Sequence, residues 1–152
     1  METTIPSLLT ARPSKQVEAR AAQLTAKLWW EKMADRYSIF VSEIVHQEAA
    51  IGERSKSQQR LVIIESFPFL EINDDVTRLA DAIMQLGAIP DQCTADAYHL
   101  ALAAVHKMDF LLTNNMKHIC NAHLMPKFRS LCVLAGHTMP AICTPDQLLQ
   151  MP

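Results

Sequence analysis

The chain has 152 residues, of which 49% are hydrophobic, and its formal net charge is -2. That length and apolar content suit one folded domain over residues 1–152 and exclude a disordered chain. The charge gives no global attraction to nucleic acid, so any such binding must come from a local patch or a metal.

The opening METTIPSLLTARPSK lacks a basic start followed by an apolar core, so it does not read as a secretory signal and the expected home is the cytoplasm. No later run approaches the roughly 18 uninterrupted apolar residues of a membrane span. After the short ETTIPSLLTARPS, to which no element is assigned, residues 15–34 predict a helix with Val17, Ala21, Leu24, Leu28 and Trp29 along one side. YSIFV (37–41) reads as a buried strand, and Ser42 stands where the N-cap of the next helix, EIVHQEAAIG, belongs. A helix over about 56–65 and a strand, FLEI (69–72), follow. Asn73 caps a helix that carries Asp74 and Asp75 in its first turn and Gly87 at its end. Thr94 opens ADAYHLALAAVHKM, and DFLLT (109–113) is a strand. Two short helical stretches are expected around 116–124 and 127–135, then a last strand, MPAIC (139–143). Thr144-Pro-Asp-Gln147 supplies a capping box with proline at the first helical position. Strands separated by helices predict an α/β fold with a parallel sheet and helices on its faces.

Glu48 is the most informative residue. By the 3.6-residue period it shares a face with Ile44, Val45 and Ile51, which plants an acid in an apolar stripe. Such a carboxylate must be paired, protonated or bound to a metal; a salt bridge to a Lys or Arg at the helix rim is the plainer alternative. Asp96 sits in the first turn of a nearly all-apolar helix, where an acid complements the helix dipole by about 0.3–1 kcal/mol. Its place before a buried helix leading into strand 109–113 marks it for more. Glu2, followed by Thr3 and Thr4, says nothing by itself, since terminal acids are usually solvated.

If Glu2, Glu48 and Asp96 converge, their all-oxygen donors suit Mg²⁺ or Mn²⁺ and the metal-assisted hydrolysis of a phosphodiester. Arg12, Lys117 and His118 are then the candidates to hold a polyanionic strand, against a solvated surface role for each. His46 and His106 fall on exposed helix faces. The four cysteines show no CxxC pair. Cys120, His123, Cys132 and His137 offer zinc ligand types at a spacing that matches no compact zinc motif, so reduced, buried thiols are the simpler reading. No GxSxG is present, and three glycines leave neither a Walker A loop nor a dinucleotide fingerprint.

In ETTIPSLLTARPS, SEIVHQEA (42–49), ADAYHLALA (95–103), LLTNNMKHICNA (111–122) and ICTPDQLL (142–149) the chain resembles the PIN-domain ribonucleases, in particular the toxin subunits of VapBC-type toxin–antitoxin systems. The resemblance implies a three-layer α/β/α domain with a central, mostly parallel sheet and acids gathered at the C-terminal ends of its strands. It implies a Mg²⁺- or Mn²⁺-dependent endoribonuclease whose metal is held by Glu2, Glu48 and Asp96. The fourth acidic position falls on Asn115, where a subgroup carries Thr-Trp-Asn followed by a basic residue and His; Asn114 stands in place of that Trp. Glu48, Asp96 and Asn115 would carry catalysis, with the Asn115 carbonyl orienting a metal-bound water. PIN domains open with a central strand that delivers the first acid. Met1 directly precedes Glu2, so that strand is expected to be truncated and Glu2 poorly fixed. The implied partners are an RNA substrate, a small antitoxin and a second copy of the chain, with Trp29–Trp30 serving the dimer or packing in the core. The alternative function is a catalytically impaired PIN-like chain that acts only through protein–protein binding.

Overall fold

The computed structural model describes residues 1–150 and shows a mixed α/β protein, 59% helical, with short parallel strands. In chain order the elements are α1 (Thr4–Thr10), α2 (Val17–Met33), β1 (Val41–Ser42), α3 (Glu43–Ala50), α4 (Arg54–Ile64), β2 (Phe69–Leu70), α5 (Asp74–Gln85), α6 (Thr94–Val105), β3 (Phe110–Leu112), α7 (Met125–Leu134), β4 (Ala141–Cys143) and α8 (Pro145–Leu149). The strands form two separate pairs, β1 with β2 and β3 with β4. Among the described residues no helix is long and apolar enough to cross a membrane. The chain divides into two compact units, one of Met1–Phe69, Leu112–Asn114 and the described residues from Cys143 on, the other of Leu70–Leu111 and Asn115–Ile142.

In the first unit, α1 accepts Pro6 because the amide lost there, in the first turn, has no intrahelical partner anyway. α2 packs against α1 and α8, and α4 against α1 and α3. Val41, Val45, Ala49 and Ile64 make a fully buried cluster, flanked by Met1, Leu61, Ile63 and Phe67. Ser42 caps α3 as its sequence predicts, its hydroxyl accepting from the Val45 amide. The other end of α3 is held by Arg60 of α4, whose guanidinium donates to the carbonyls of Ala49 (3.0 Å) and Ile51. Those are terminal helix carbonyls with no partner of their own, and a cation there also suits the dipole.

α2 buries only part of the face expected. Of that face Trp29 is buried, but Val17, Leu24 and Leu28 are 79%, 51% and 40% exposed, and Gln23 and Ala26 lie inside with Trp29. Gln23 decides the rotation: its amide donates to the Arg12 carbonyl (2.9 Å) and its Oε1 accepts the Ser14 amide (3.0 Å), so a polar residue satisfies the loop between α1 and α2. Trp29 stacks at an angle on Tyr37 and Trp30, and Trp30 meets Phe67 edge-on. Both indoles thus pack within the chain. The strands are shorter than expected, with Tyr37 closing the 3-10 turn Ala34–Arg36 instead of starting β1.

In the second unit, α5 packs against α6 and α7. Asn73 caps α5, accepting from the Val76 amide at 3.0 Å. α6 is buried from His99 to Ala104, in keeping with its alanine-rich sequence. The helix expected over 116–124 does not form; the segment is a series of turns. Two amides leave the helical ladder: that of Cys120 goes to the Asn115 carbonyl, five residues back (2.8 Å), and that of His123 goes to the Asn121 side chain. His106 and His46 are half-buried and engaged, the first on the Glu71 carbonyl (2.8 Å), the second against the Phe69 ring.

Gln23→Leu keeps the volume but leaves the Ser14 amide and the Arg12 carbonyl without their partner. Urea unfolding should show a loss of about 1–3 kcal/mol, whereas Leu24→Gln on the exposed face should change stability by less than about 0.5 kcal/mol.

Candidate functional site

Glu2 is only 3% exposed, although it is the second residue. Its backbone amide donates to the Leu112 carbonyl at the end of β3 (3.2 Å), while the Met1 amine donates to the Phe40 carbonyl just before β1 (2.9 Å). The Glu2 carboxylate accepts the Thr4 amide (2.9 Å), the Thr4 hydroxyl and, at 3.4 Å, the Asn114 amide. The same Asn114 amide meets the Thr4 hydroxyl at 2.7 Å, so that hydroxyl stands between strand end and carboxylate. Glu2, expected to be poorly fixed, is held by these contacts. Asn114 works here through its backbone amide, which any residue but proline supplies.

Glu48 is half-buried beside the core residues Val45 and Ala49, and Ile51, expected on its face, is exposed beyond the helix end. The Thr3 hydroxyl donates to Glu48 Oε2. Two acids distant in sequence are thus held by consecutive residues, Thr3 and Thr4, at the start of α1. Sequence reasoning gave no role to these threonines; their signal was the unbroken Glu-Thr-Thr run.

In the second unit, Asp96 is reached from the loop after β3. Asn115 Nδ2 donates to Asp96 Oδ1 (3.0 Å), and Asn115 Oδ1 accepts the His118 amide (3.1 Å). The His118 ring lies with Nδ1 2.7 Å from Asp96 Oδ2, both side chains being largely enclosed. The residues assigned to an RNA strand and to a water are thereby turned on a carboxylate: His118 faces Asp96, and the Asn115 carbonyl faces the His118 amide. Cys93, one helical turn before Asp96, joins them; a sulfur, a carboxylate oxygen and a ring nitrogen of Cys93, Asp96 and His118 all lie within 4.8 Å of one another. Cysteine reasoning had centred on Cys120 and Cys132, which are buried in the core, where desolvation pushes both thiols up. The three-residue step from Cys93 to Asp96 was the overlooked signal.

Arg12 and Lys117 are exposed. Arg12 pairs with Glu53 at 3.9 Å, and with both groups largely in solvent that pair contributes little. No family model, no curated protein and no solved structure matches this chain.

Burial lowers the Met1 amine to about 6, opposed by the nearby Glu2 and Cys143. The unfolded chain binds that proton below about 8 and the folded chain only below about 6, so stability is complete above pH 8 and is lost as pH falls from 8 to 6. Thermal unfolding of residues 1–152 should show a drop worth about 2 kcal/mol across that window. N-terminal acetylation, which removes the titration, should flatten it.

Proposed function

We propose that the chain is a metal-dependent endoribonuclease of the PIN type, the toxin of a toxin–antitoxin pair, with Mg²⁺ or Mn²⁺ as its cofactor. The observation that supports the reading is the arrival of Glu2 and Glu48 on adjacent threonines, which brings two enclosed or half-buried acids to one helix start. Their donors are oxygens throughout, carboxylates with hydroxyls beside them, and this is the hard set that Mg²⁺ and Mn²⁺ take. Asp96 is the third acid that the resemblance assigns, and Asn115 fixes its carboxylate.

In this reading a bound divalent ion activates water and offsets the charge that develops on the phosphodiester. The residues supply orientation. Thr3 and Thr4 aim the carboxylate oxygens, and Asn114 fixes Thr4 through its amide. Asn115 and His118 restrict Asp96 to one rotamer. Lys117, exposed beside them in sequence, and Arg12 are available to phosphates of the strand.

A second reading, binding without catalysis, draws on the outward apolar face of α2, Val17, Leu24 and Leu28. A second copy of the chain or an antitoxin would cover such a face. Two experiments separate the readings. Purified protein should cleave single-stranded or looped RNA only when Mg²⁺ or Mn²⁺ is supplied, and Glu48→Gln and Asp96→Asn should each lower the rate about 100-fold or more. Cleavage that survives both substitutions removes the nuclease reading. Leu24→Glu with Leu28→Glu should leave cleavage intact and abolish self-association in sedimentation if that face is the interface.

A further inference from the structure

We propose that Cys93, Asp96 and His118 form a binding site for a borderline divalent transition ion of the zinc class. The inference does not rest on the nuclease reading, but it draws on the same Asp96 carboxylate, so a zinc-class ion bound here competes with Mg²⁺ or Mn²⁺ for that acid.

The site is assembled from two directions. Cys93 precedes α6 directly and Asp96 lies in its first turn, a three-residue step that puts both side chains on one side of the helix start. His118 comes from the turns after β3. Its position is set by Asn115, which accepts the His118 amide through Oδ1 and donates to Asp96 through Nδ2. One amide side chain therefore holds two of the three donors from behind, as outer partners do in metal centres.

The Asp96–His118 contact alone would be a hydrogen-bonded pair and would need nothing more. The thiol of Cys93 is the additional observation. A sulfur, a nitrogen and an oxygen converge within 4.8 Å of one another, in surroundings that leave the aspartate and histidine side chains only 14% and 10% exposed. A set of thiolate, imidazole and carboxylate suits zinc and its neighbours, and disfavours Mg²⁺, which takes oxygen and keeps its waters. An ion entering between His118 Nδ1 and Asp96 Oδ2 replaces the proton now shared across 2.7 Å. The two atoms need separate only to about 3.3 Å, the span of two ligands at zinc bond lengths and tetrahedral angle. Three protein ligands leave a fourth position for water or another small ligand. Binding should release protons, because thiolate and neutral imidazole are the ligating forms.

Cobalt(II) is the probe, since it takes zinc geometry and is coloured. Titration into reduced, metal-free 1–152 protein should saturate at one equivalent and give tetrahedral visible bands with a near-ultraviolet thiolate-to-cobalt band. Zinc should displace the cobalt, and millimolar Mg²⁺ should not. Cys93→Ala should abolish the thiolate band, and His118→Ala should weaken binding about 10-fold or more. Cys93 is half-exposed at a helix entry, so Cys93→Ala is expected to keep its circular dichroism and unfolding midpoint. No saturable thiolate band in the parent, or a band that persists in folded Cys93→Ala, overturns the site. Should His118→Ala not fold, the Cys93→Ala comparison decides alone.

Discussion

Two backbone carbonyls, those of Phe40 and Leu112, are met by the first two nitrogens of the chain. A buried carbonyl without a donor is costly, and here the Met1 amine and the Glu2 amide complete a pattern that neither strand pair completes by itself. Much else in the first unit depends on this join. It draws the Glu2 side chain inside, where Thr4 and Asn114 take it up, and it sets Thr3 against Glu48. It also encloses the terminal amine, whose buried site disfavours the protonated form, and this is why the same arrangement carries a stability cost as the solution is acidified.

The parts of the fold that were legible in the sequence were those written in local chemistry. Ser42, Asn73 and Thr144 cap their helices as their positions predict, and the reciprocal Thr144–Gln147 box is present. The face of α2 was legible only in part. Apolar periodicity favoured Leu24, Leu28 and Trp29, of which only Trp29 is buried; the loop eleven residues upstream draws Gln23 inside through its bond to the Arg12 carbonyl. The turns at 116–124 were missed for a related reason, since the Asn121 side chain and the Asn115 carbonyl take the His123 and Cys120 amides out of the helical ladder and periodicity does not register them. Of the candidate site, the acids stood out by residue type, whereas the partner of Thr3 and the third member of the Cys93–Asp96 group, Glu48 and His118, lie far away in the chain and no local pattern announces them.

Two donor chemistries are segregated between the units. Glu2 and Glu48 keep company with hydroxyls, and Asp96 with an imidazole, an amide and a thiol. The carboxylates thus stand among different donors, oxygen in the first unit and nitrogen and sulfur in the second, the property by which neighbours set what a carboxylate can bind.

The aromatic cluster around Trp29 has an optical consequence. The chain has two tryptophans, Trp29 and Trp30, and both belong to the first unit. Indole emission therefore reports on that unit alone, while the amide circular dichroism sums over the helices of both. The molecule carries a built-in local reporter set against a global one, and the two signals can be followed side by side without attaching a dye.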